Sequence, residues 1–235
     1  MPNAPVRLLV TGFGPFPGVP DNASAGFAHM LADAAGKFGP AVEATAAVLP
    51  TEWDSAPSML HRLIAEYQPG VCLHLGVSGT ARDVIVETLA RNTAALKPDA
   101  TGRLPARGRL IEEAPAMLLP ARSPLQLVSE AMRAGLPVRP SLRAGNYLCN
   151  AIYFHSLWLM RQRRPPGGLG RQVAFLHLPV RVGAFGRTEP SGPTAEPLSL
   201  DLALRSAMRI LGSLCAPEPS RAEQAAVASA PTAAR

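Results

Sequence analysis

Asp54-Ser55-Ala56-Pro57-Ser58-Met59-Leu60-His61-Arg62-Leu63-Ile64-Ala65-Glu66-Tyr67-Gln68-Pro69-Gly70-Val71-Cys72-Leu73-His74-Leu75 carries two periodicities in succession. Met59, Leu60, Leu63 and Ile64 recur at helical spacing, so a helix is predicted over Asp54 to Tyr67. Pro69-Gly70 stops it. Val71 to Leu75 is then a short apolar run, the mark of a buried strand.

The same alternation extends in both directions. Arg7 to Val10 reads as a strand closed by Thr11-Gly12, and Asn22-Ala23-Ser24 supplies an N-cap for a helix through about Ala35. Val42 to Leu49 is a second strand. Val84 to Leu89 is a fourth extended run after Val71 to Leu75. Residues 92 to 122, rich in Pro, Gly and Arg, are expected to run over the surface. Pro124 to Ala134 and Asn150 to Arg163 read as helices, Gln172 to Leu178 as a strand, 181 to 197 as a loop and Leu198 to Leu214 as a helix. Strands alternating with helices predict the α/β class: a single-domain, three-layer sandwich with helices on both faces of a twisted, mostly parallel or mixed sheet. The domain is expected to span residues 1–216. Residues 217–235, mostly Ala, Ser and Pro, are expected to form a disordered tail.

Composition narrows the function. With 235 residues, nearly half of them hydrophobic, the chain can bury one large core. No apolar run reaches the about 18 residues of a membrane span. Met1-Pro2-Asn3-Ala4-Pro5-Val6-Arg7 lacks the pattern of a secretory signal, so a cytoplasmic location is expected. The charge of +6 comes from scattered arginines rather than a stripe. The densest group, Arg161, Arg163 and Arg164, falls at a helix end where cations suit the dipole. Nucleic acid is therefore not an expected partner. Three cysteines do not make a disulfide framework, and no metal-ligand spacing is present. Cys72 and Cys215 read as buried and inert.

Cys149 stands apart. It lies between the turn Ala144-Gly145-Asn146 and a helical stretch. A thiol there meets the positive end of the helix dipole, which favours the thiolate, the nucleophilic form. Glu87 sits in the apolar run Val84 to Leu89, where a carboxylate is costly to bury unpaired. His177, in the strand Phe175-Leu176-His177-Leu178-Pro179, is a plausible partner, although a histidine in that context serves as a packed core residue as often as a base. Nucleophile, base and orienting acid are the groups that thiol catalysis needs. His29 and His61 lie in helical patterns, His74 flanks Cys72 in a strand, and His155, six residues after Cys149, is expected to face elsewhere. The loop Gly12-Phe13-Gly14-Pro15-Phe16 lacks phosphate-loop signatures and reads as an apolar wall, or as aromatics packed beneath their own loop.

These segments together resemble pyroglutamyl peptidase I, the pyrrolidone-carboxylate peptidase family of cysteine peptidases. Leu9-Val10-Thr11-Gly12-Phe13-Gly14-Pro15-Phe16-Pro17-Gly18 is similar to the family's opening T-G-F-x-P-F-G-G, and Asn22-Ala23-Ser24 to its N-P-S. Glu87-Thr88-Leu89-Ala90-Arg91-Asn92 resembles E-R-V-A-x-N. Ala144-Gly145-Asn146-Tyr147-Leu148-Cys149-Asn150 resembles A-G-T-Y/F-V-C-N, and Phe175-Leu176-His177-Leu178-Pro179 resembles F-I-H-x-P. Leu198-Ser199-Leu200 echoes the start of the last helix. The resemblance runs from about residue 7 to 214 with the motifs in order.

It implies a hydrolase without cofactor or metal that removes N-terminal 5-oxoproline from peptides. Cys149 would be the nucleophile, His177 the general base and acid, and Glu87 the residue orienting His177. Phe13, Phe16, Val77 and Leu148 would bind substrate, with Phe13 and Phe16 enclosing the lactam ring. A homo-oligomer, dimer or tetramer, is also implied. The pattern departs at Thr88, where the family has Arg, and at Leu96-Lys97-Pro98-Asp99, which is one residue short and offers only Lys97 for a second Arg. Val77 replaces a glutamine and Val180 a tyrosine. A thiol amidase with a different small acyl or lactam substrate, and a non-catalytic binding module, are the alternative readings.

Overall fold

The computed structural model describes residues 5–36, 42–142, 144–162, 171–186 and 198–216. β1 (Val6–Phe13), α1 (Ala23–Gly36), β2 (Val42–Leu49), α2 (Ser55–Tyr67), β3 (Val71–Ser78) and β4 (Val84–Glu87) follow in order. The short strands β5 (Ala90–Arg91) and β6 (Met117–Leu118) lead to α3 (Pro124–Arg133) and β7 (Val138–Ser141). α4 (Leu148–Gln162), β8 (Gln172–Pro179) and α5 (Leu200–Cys215) complete the chain. The main sheet has six strands in the order β2-β1-β3-β8-β4-β7, and β5 and β6 form a separate pair. β2, β1, β3 and β8 are parallel to one another, while β4 pairs antiparallel with β8 and carries β7 parallel to itself.

Period-two alternation builds both layers from the same strands. Leu8, Val10, Leu73, Leu75, Ala174, Leu176 and Leu178 face one core with Phe27 and Leu31 of α1, Leu127 of α3 and Ile210 of α5. Leu9, Cys72, Val173 and Phe175 face the other, with Leu60 and Ile64 of α2 and Ile152, Tyr153 and Phe154 of α4. The expected three-layer α/β sandwich is therefore the observed one, and its sheet is mixed. From β1 the chain moves to β2 on one side and then to β3 on the other, with α1 and α2 on opposite faces. Ligands of open α/β sheets bind outside the strand ends where the order reverses in this way.

Several boundaries differ from the sequence reading. The fourth run stops at Glu87, because the Thr88 N–H turns to the Ser141 carbonyl on β7 (2.8 Å). β7 itself was not expected. It contains Pro140, which a strand tolerates at a sheet edge, and β7 is that edge. The 92–122 excursion is more than surface. Ala114 and Leu118 are buried in the α2/α4 core, and the Asn92 side chain holds the segment by bonds to Leu110, Ile111 and Ala114. α4 begins at Leu148, so Cys149 falls in its first turn. α5 begins at Leu200, capped by the Ser199 hydroxyl, which accepts from the Leu202 N–H. Cys72 is buried but Cys215 is only half-buried. Burial pushes both thiols up, Cys72 to about 12 and Cys215 to about 11.

Arg163, Arg164, most of the 181–197 loop and the expected tail at 217–235 lie outside the described residues. Arg161 donates to the Leu119 carbonyl (2.7 Å), tying the end of α4 to the excursion. Among the described residues no helix is long and apolar enough to cross a membrane.

Candidate active site

Gly145 starts the site. Its φ of +77° lies in the left-handed region, so the chain can turn sharply into α4. Asn150 anchors the other side of that turn. Fully buried, it accepts from the Arg91 N–H (2.8 Å) and donates to the carbonyls of Arg91 (2.8 Å) and Thr93 (3.0 Å). The first turn of α4 is thereby pinned to β5, with Cys149 beside the pinning residue.

Beneath Cys149 lies Gly76 of β3. A β-carbon at Gly76 would stand 2.8 Å from the Cys149 sulfur and 3.0 Å from the Phe175 ring. The missing side chain is thus the space the sulfur occupies. Gly76 is the register partner of His177 on β8, so the two share a sheet face. Ile85 of β4 is the antiparallel partner of His177, and Glu87, two residues on, shares that face. The reversed direction of β4 is what brings the carboxylate to the imidazole.

The His177 Nδ1–H donates to Glu87 Oε1 at 2.8 Å, and both residues are buried, with 8% and 2% exposure. A hydrogen bond also links His177 to the Cys149 side chain. Burial works against a proton on His177 and is the largest single influence. The charge of Cys149, the bonds to Cys149 and Glu87, and the Glu87 charge together outweigh it and raise the imidazole to about 10. Behind the trio, the Tyr153 hydroxyl donates to the Glu87 carbonyl (3.2 Å), and Phe175 packs on His177 with ring centroids 4.9 Å apart. Tyr153 lies one turn after Cys149 on α4, so one helix face carries both.

A cleft of about 510 Å³ opens over these groups at the carboxyl ends of β1 and β3. Phe13, Phe16, Val77, Leu148, Cys149, His177 and Glu87 all line it, so every residue expected to act in catalysis or substrate binding reaches one cavity. Phe13 is buried while Phe16 is half-buried. Asn22 sets their loop: its amide donates to the Gly14 carbonyl (3.0 Å), and its Oδ1 accepts from the Ser24 N–H (3.2 Å) and hydroxyl (2.9 Å). The expected cap at Asn22 thus also shapes the cleft. Thr51 adds a second donor to the Gly14 carbonyl (3.0 Å) and lines the cleft too. The sequence reading passed over Thr51 and Ser141; their signal was a polar residue at a strand exit.

The departures from the family pattern have definite places. Thr88 turns its hydroxyl to the Ser141 carbonyl (2.8 Å), into the sheet edge. Val180 is buried, and it does not line the cleft. Lys97 does line it, with its ammonium 4.9 Å from the centroid of the Tyr147 ring. Its segment is fixed by Asp99, which accepts from the N–H groups of Trp53, Thr101 and Arg103. These bonds, opposed first by burial, hold the Asp99 carboxyl below its usual range. His155 does face elsewhere: its ring bonds His61 of α2 at 3.1 Å. His74 is buried against Thr11 (2.8 Å), and desolvation lowers it to about 3. Among the described residues no group of three or more His, Cys, Asp or Glu side chains is placed to hold a metal ion.

Residues 6–207 match the family model described as pyroglutamyl peptidase. A pyrrolidone-carboxylate peptidase of Yersinia pestis (strain Pestoides F) is 30% identical over 208 residues, covering 87% of this chain and 92% of the relative. The corresponding Yersinia pseudotuberculosis protein (serotype O:1b) has the same identity and coverage. Among solved structures, pyroglutamyl peptidase I from Bacillus amyloliquefaciens superposes with a TM-score of 0.75 at 22% identity, covering 89% of this chain and 97% of that one. The pyrrolidone carboxyl peptidase of Fervidobacterium islandicum AW-1 gives 0.74 at 22%, covering 89% and 98%. The structures agree in fold and the sequences in family: the chain belongs to the pyroglutamyl peptidase family.

Proposed function

We propose that this protein is a cysteine exopeptidase that hydrolyses the amide bond after an N-terminal pyroglutamyl residue. The observation that carries the reading is the Cys149–His177–Glu87 chain at the floor of a cleft walled by Phe13 and Phe16. A 5-oxoproline ring bears no charged amine, so an apolar slot suits it.

In this reaction the Cys149 thiolate attacks the amide carbonyl carbon, and its electron pair moves to the oxygen. N–H groups of the first turn of α4, which lack intrahelical partners, stabilise that oxyanion. His177, held by Glu87 through Nδ1, gives its other ring proton to the departing nitrogen as the carbon–nitrogen bond breaks. A thioester remains on Cys149. Water then attacks the thioester and yields a proton to His177. The carbon–sulfur bond breaks, releasing 5-oxoproline and restoring the thiolate beside the imidazolium. Glu87 orients His177 and favours its charged form. Phe13, Phe16, Val77 and Leu148 form the walls against which the acyl group packs.

The substrates on this reading are N-terminally pyroglutamylated peptides, and no cofactor takes part. A cytoplasmic location and assembly as a dimer or tetramer belong to the same proposal; a nucleophilic thiol among three free cysteines suits a reducing compartment. The test is release of a fluorophore from a pyroglutamyl amide under reducing conditions. Wild type is expected to turn over, and Cys149→Ala to lose at least about 10³-fold in kcat. Equal rates for the two proteins would refute the assignment.

A further inference from the structure

Cys149 divides the cleft into two sides. β8 and β4, with His177 and Glu87, lie on one side of β3, and β1, with Phe13 at its exit, lies on the other. His177 protonates the leaving nitrogen, so the departing peptide lies on its side and the acyl ring on the Phe13 side. Lys97 belongs to the acyl side. The Thr51 hydroxyl holds the Gly14 carbonyl behind Phe13, the Ala100 N–H donates to the Thr51 carbonyl (2.9 Å), and the Trp53 indole N–H donates to the Lys97 carbonyl (2.9 Å).

The ammonium itself is also placed. Tyr147, whose ring it covers, is fixed by a hydroxyl bond to the Pro98 carbonyl (2.9 Å) and by edge contact with Trp53 at 5.2 Å. A cation over an aromatic face is held there by the ring quadrupole. Among the described residues, the charged side chains lining the cleft besides the catalytic groups reduce to Lys97. A slot that takes a neutral lactam by apolar contact alone has no need of a cation.

Resting on the pyroglutamyl reading, we infer that Lys97 is a specificity determinant of the acyl subsite. Its ammonium favours a ring whose nitrogen is an uncharged amide flanked by a carbonyl acceptor, and repels a ring whose nitrogen is protonated. 5-Oxoproline is the first kind of ring, and an N-terminal proline, otherwise the same size and shape, is the second. Like charges within about 6 Å of each other in a partly open site discriminate by about ten- to a hundredfold.

The test compares matched fluorogenic amides of 5-oxoproline and proline in wild type, Lys97→Met and Lys97→Arg. It is run at pH 6.5, below the usual amino-terminal range of about 7.7–8.0. Competition by 2-pyrrolidone and by pyrrolidinium reads the same preference from binding alone, even where prolyl turnover is slow. Lys97→Met is expected to lower the oxoprolyl-over-prolyl ratio, and the matching inhibitor ratio, by about tenfold or more, with Lys97→Arg restoring both. Ratios that stay within about twofold of wild type overturn the inference. So does an equal loss of kcat on both substrates with unchanged inhibitor binding, which places the ammonium at the reacting carbonyl instead. In either case wild type still cleaves the oxoprolyl amide, and the proposed function stands. A wild type that cleaves neither amide overturns that function and this inference together.

Discussion

Replacing Gly76 by alanine adds one methyl group where β3 passes beneath the Cys149 sulfur. The new carbon would stand 2.8 Å from Sγ and 3.0 and 3.2 Å from two atoms of the Phe175 ring. Comfortable contact needs about 3.5–4.0 Å. The sulfur must therefore retreat by about 1 Å, and Phe175, packed between Tyr153 and His177, can yield little. A displacement of that size at a reacting atom costs about 10²-fold in rate, or about 2.7 kcal/mol of transition-state stabilisation. The stability cost is that of mild overpacking, about 1–3 kcal/mol, because the sulfur is the free end of a side chain. The assay pairs kcat/KM on a pyroglutamyl amide with urea unfolding and the rate of Cys149 alkylation. Gly212→Ala is the control. Gly212 lies within α5 with nothing within 4 Å of the added carbon, so stability should rise by about 0.5–1 kcal/mol with activity unchanged. Gly76→Ala with activity within about threefold of wild type, and an unchanged alkylation rate, would refute the placing of the sulfur over Gly76.

Glu87→Gln removes a charge and a bond that raise the His177 imidazole toward about 10. The imidazolium is the acid of the first step, so the alkaline limb of the pH–rate profile should move to lower pH, with kcat down by about 10²–10⁴-fold. An alkaline limb that stays in place removes Glu87 from the mechanism. Asn150→Ala deletes two bonds to Arg91 of β5 and one to Thr93, and at about 1 kcal/mol each should cost about 3 kcal/mol by urea unfolding and slow Cys149 alkylation. Acid stability tests His74, which desolvation lowers from 6.5 to about 3. A base whose folded pKa is depressed gives stability that is intact above its unfolded pKa and is lost as pH falls. Up to about 5 kcal/mol should therefore disappear between pH 6.5 and pH 3. A His74→Phe variant that folds should show a shallower loss over that window, and an unchanged slope counts against the assignment.

How much of this was legible in the chain varies with the range of the interaction. The α2–β3 segment could be read because helical and extended periodicities are written in neighbouring residues. Asn22 was visible as a cap because its partner, Ser24, is two residues away. β7 was missed because Pro140 argues locally against a strand, and only its place at the sheet edge removes the objection. The excursion at 92–122 looked like surface because Asn92 and Asp99, which fold it against the core, take their meaning from distant backbone groups.

By itself, the sequence determined the α/β class, the family, and the three chemical groups of the site: a thiol at a helix start, a strand histidine and an otherwise unaccountable buried carboxylate. Those are properties of residue type and short-range spacing. The tertiary structure alone decided that Gly76 is opposite His177, that β4 runs backwards so that Glu87 reaches the imidazole, and that Lys97 rests on Tyr147 at the wall of the cleft. Each depends on strand register and loop closure between segments up to 90 residues apart. A shift of one residue in that register would turn His177 to the opposite face of the sheet, leaving the composition and the motifs unchanged.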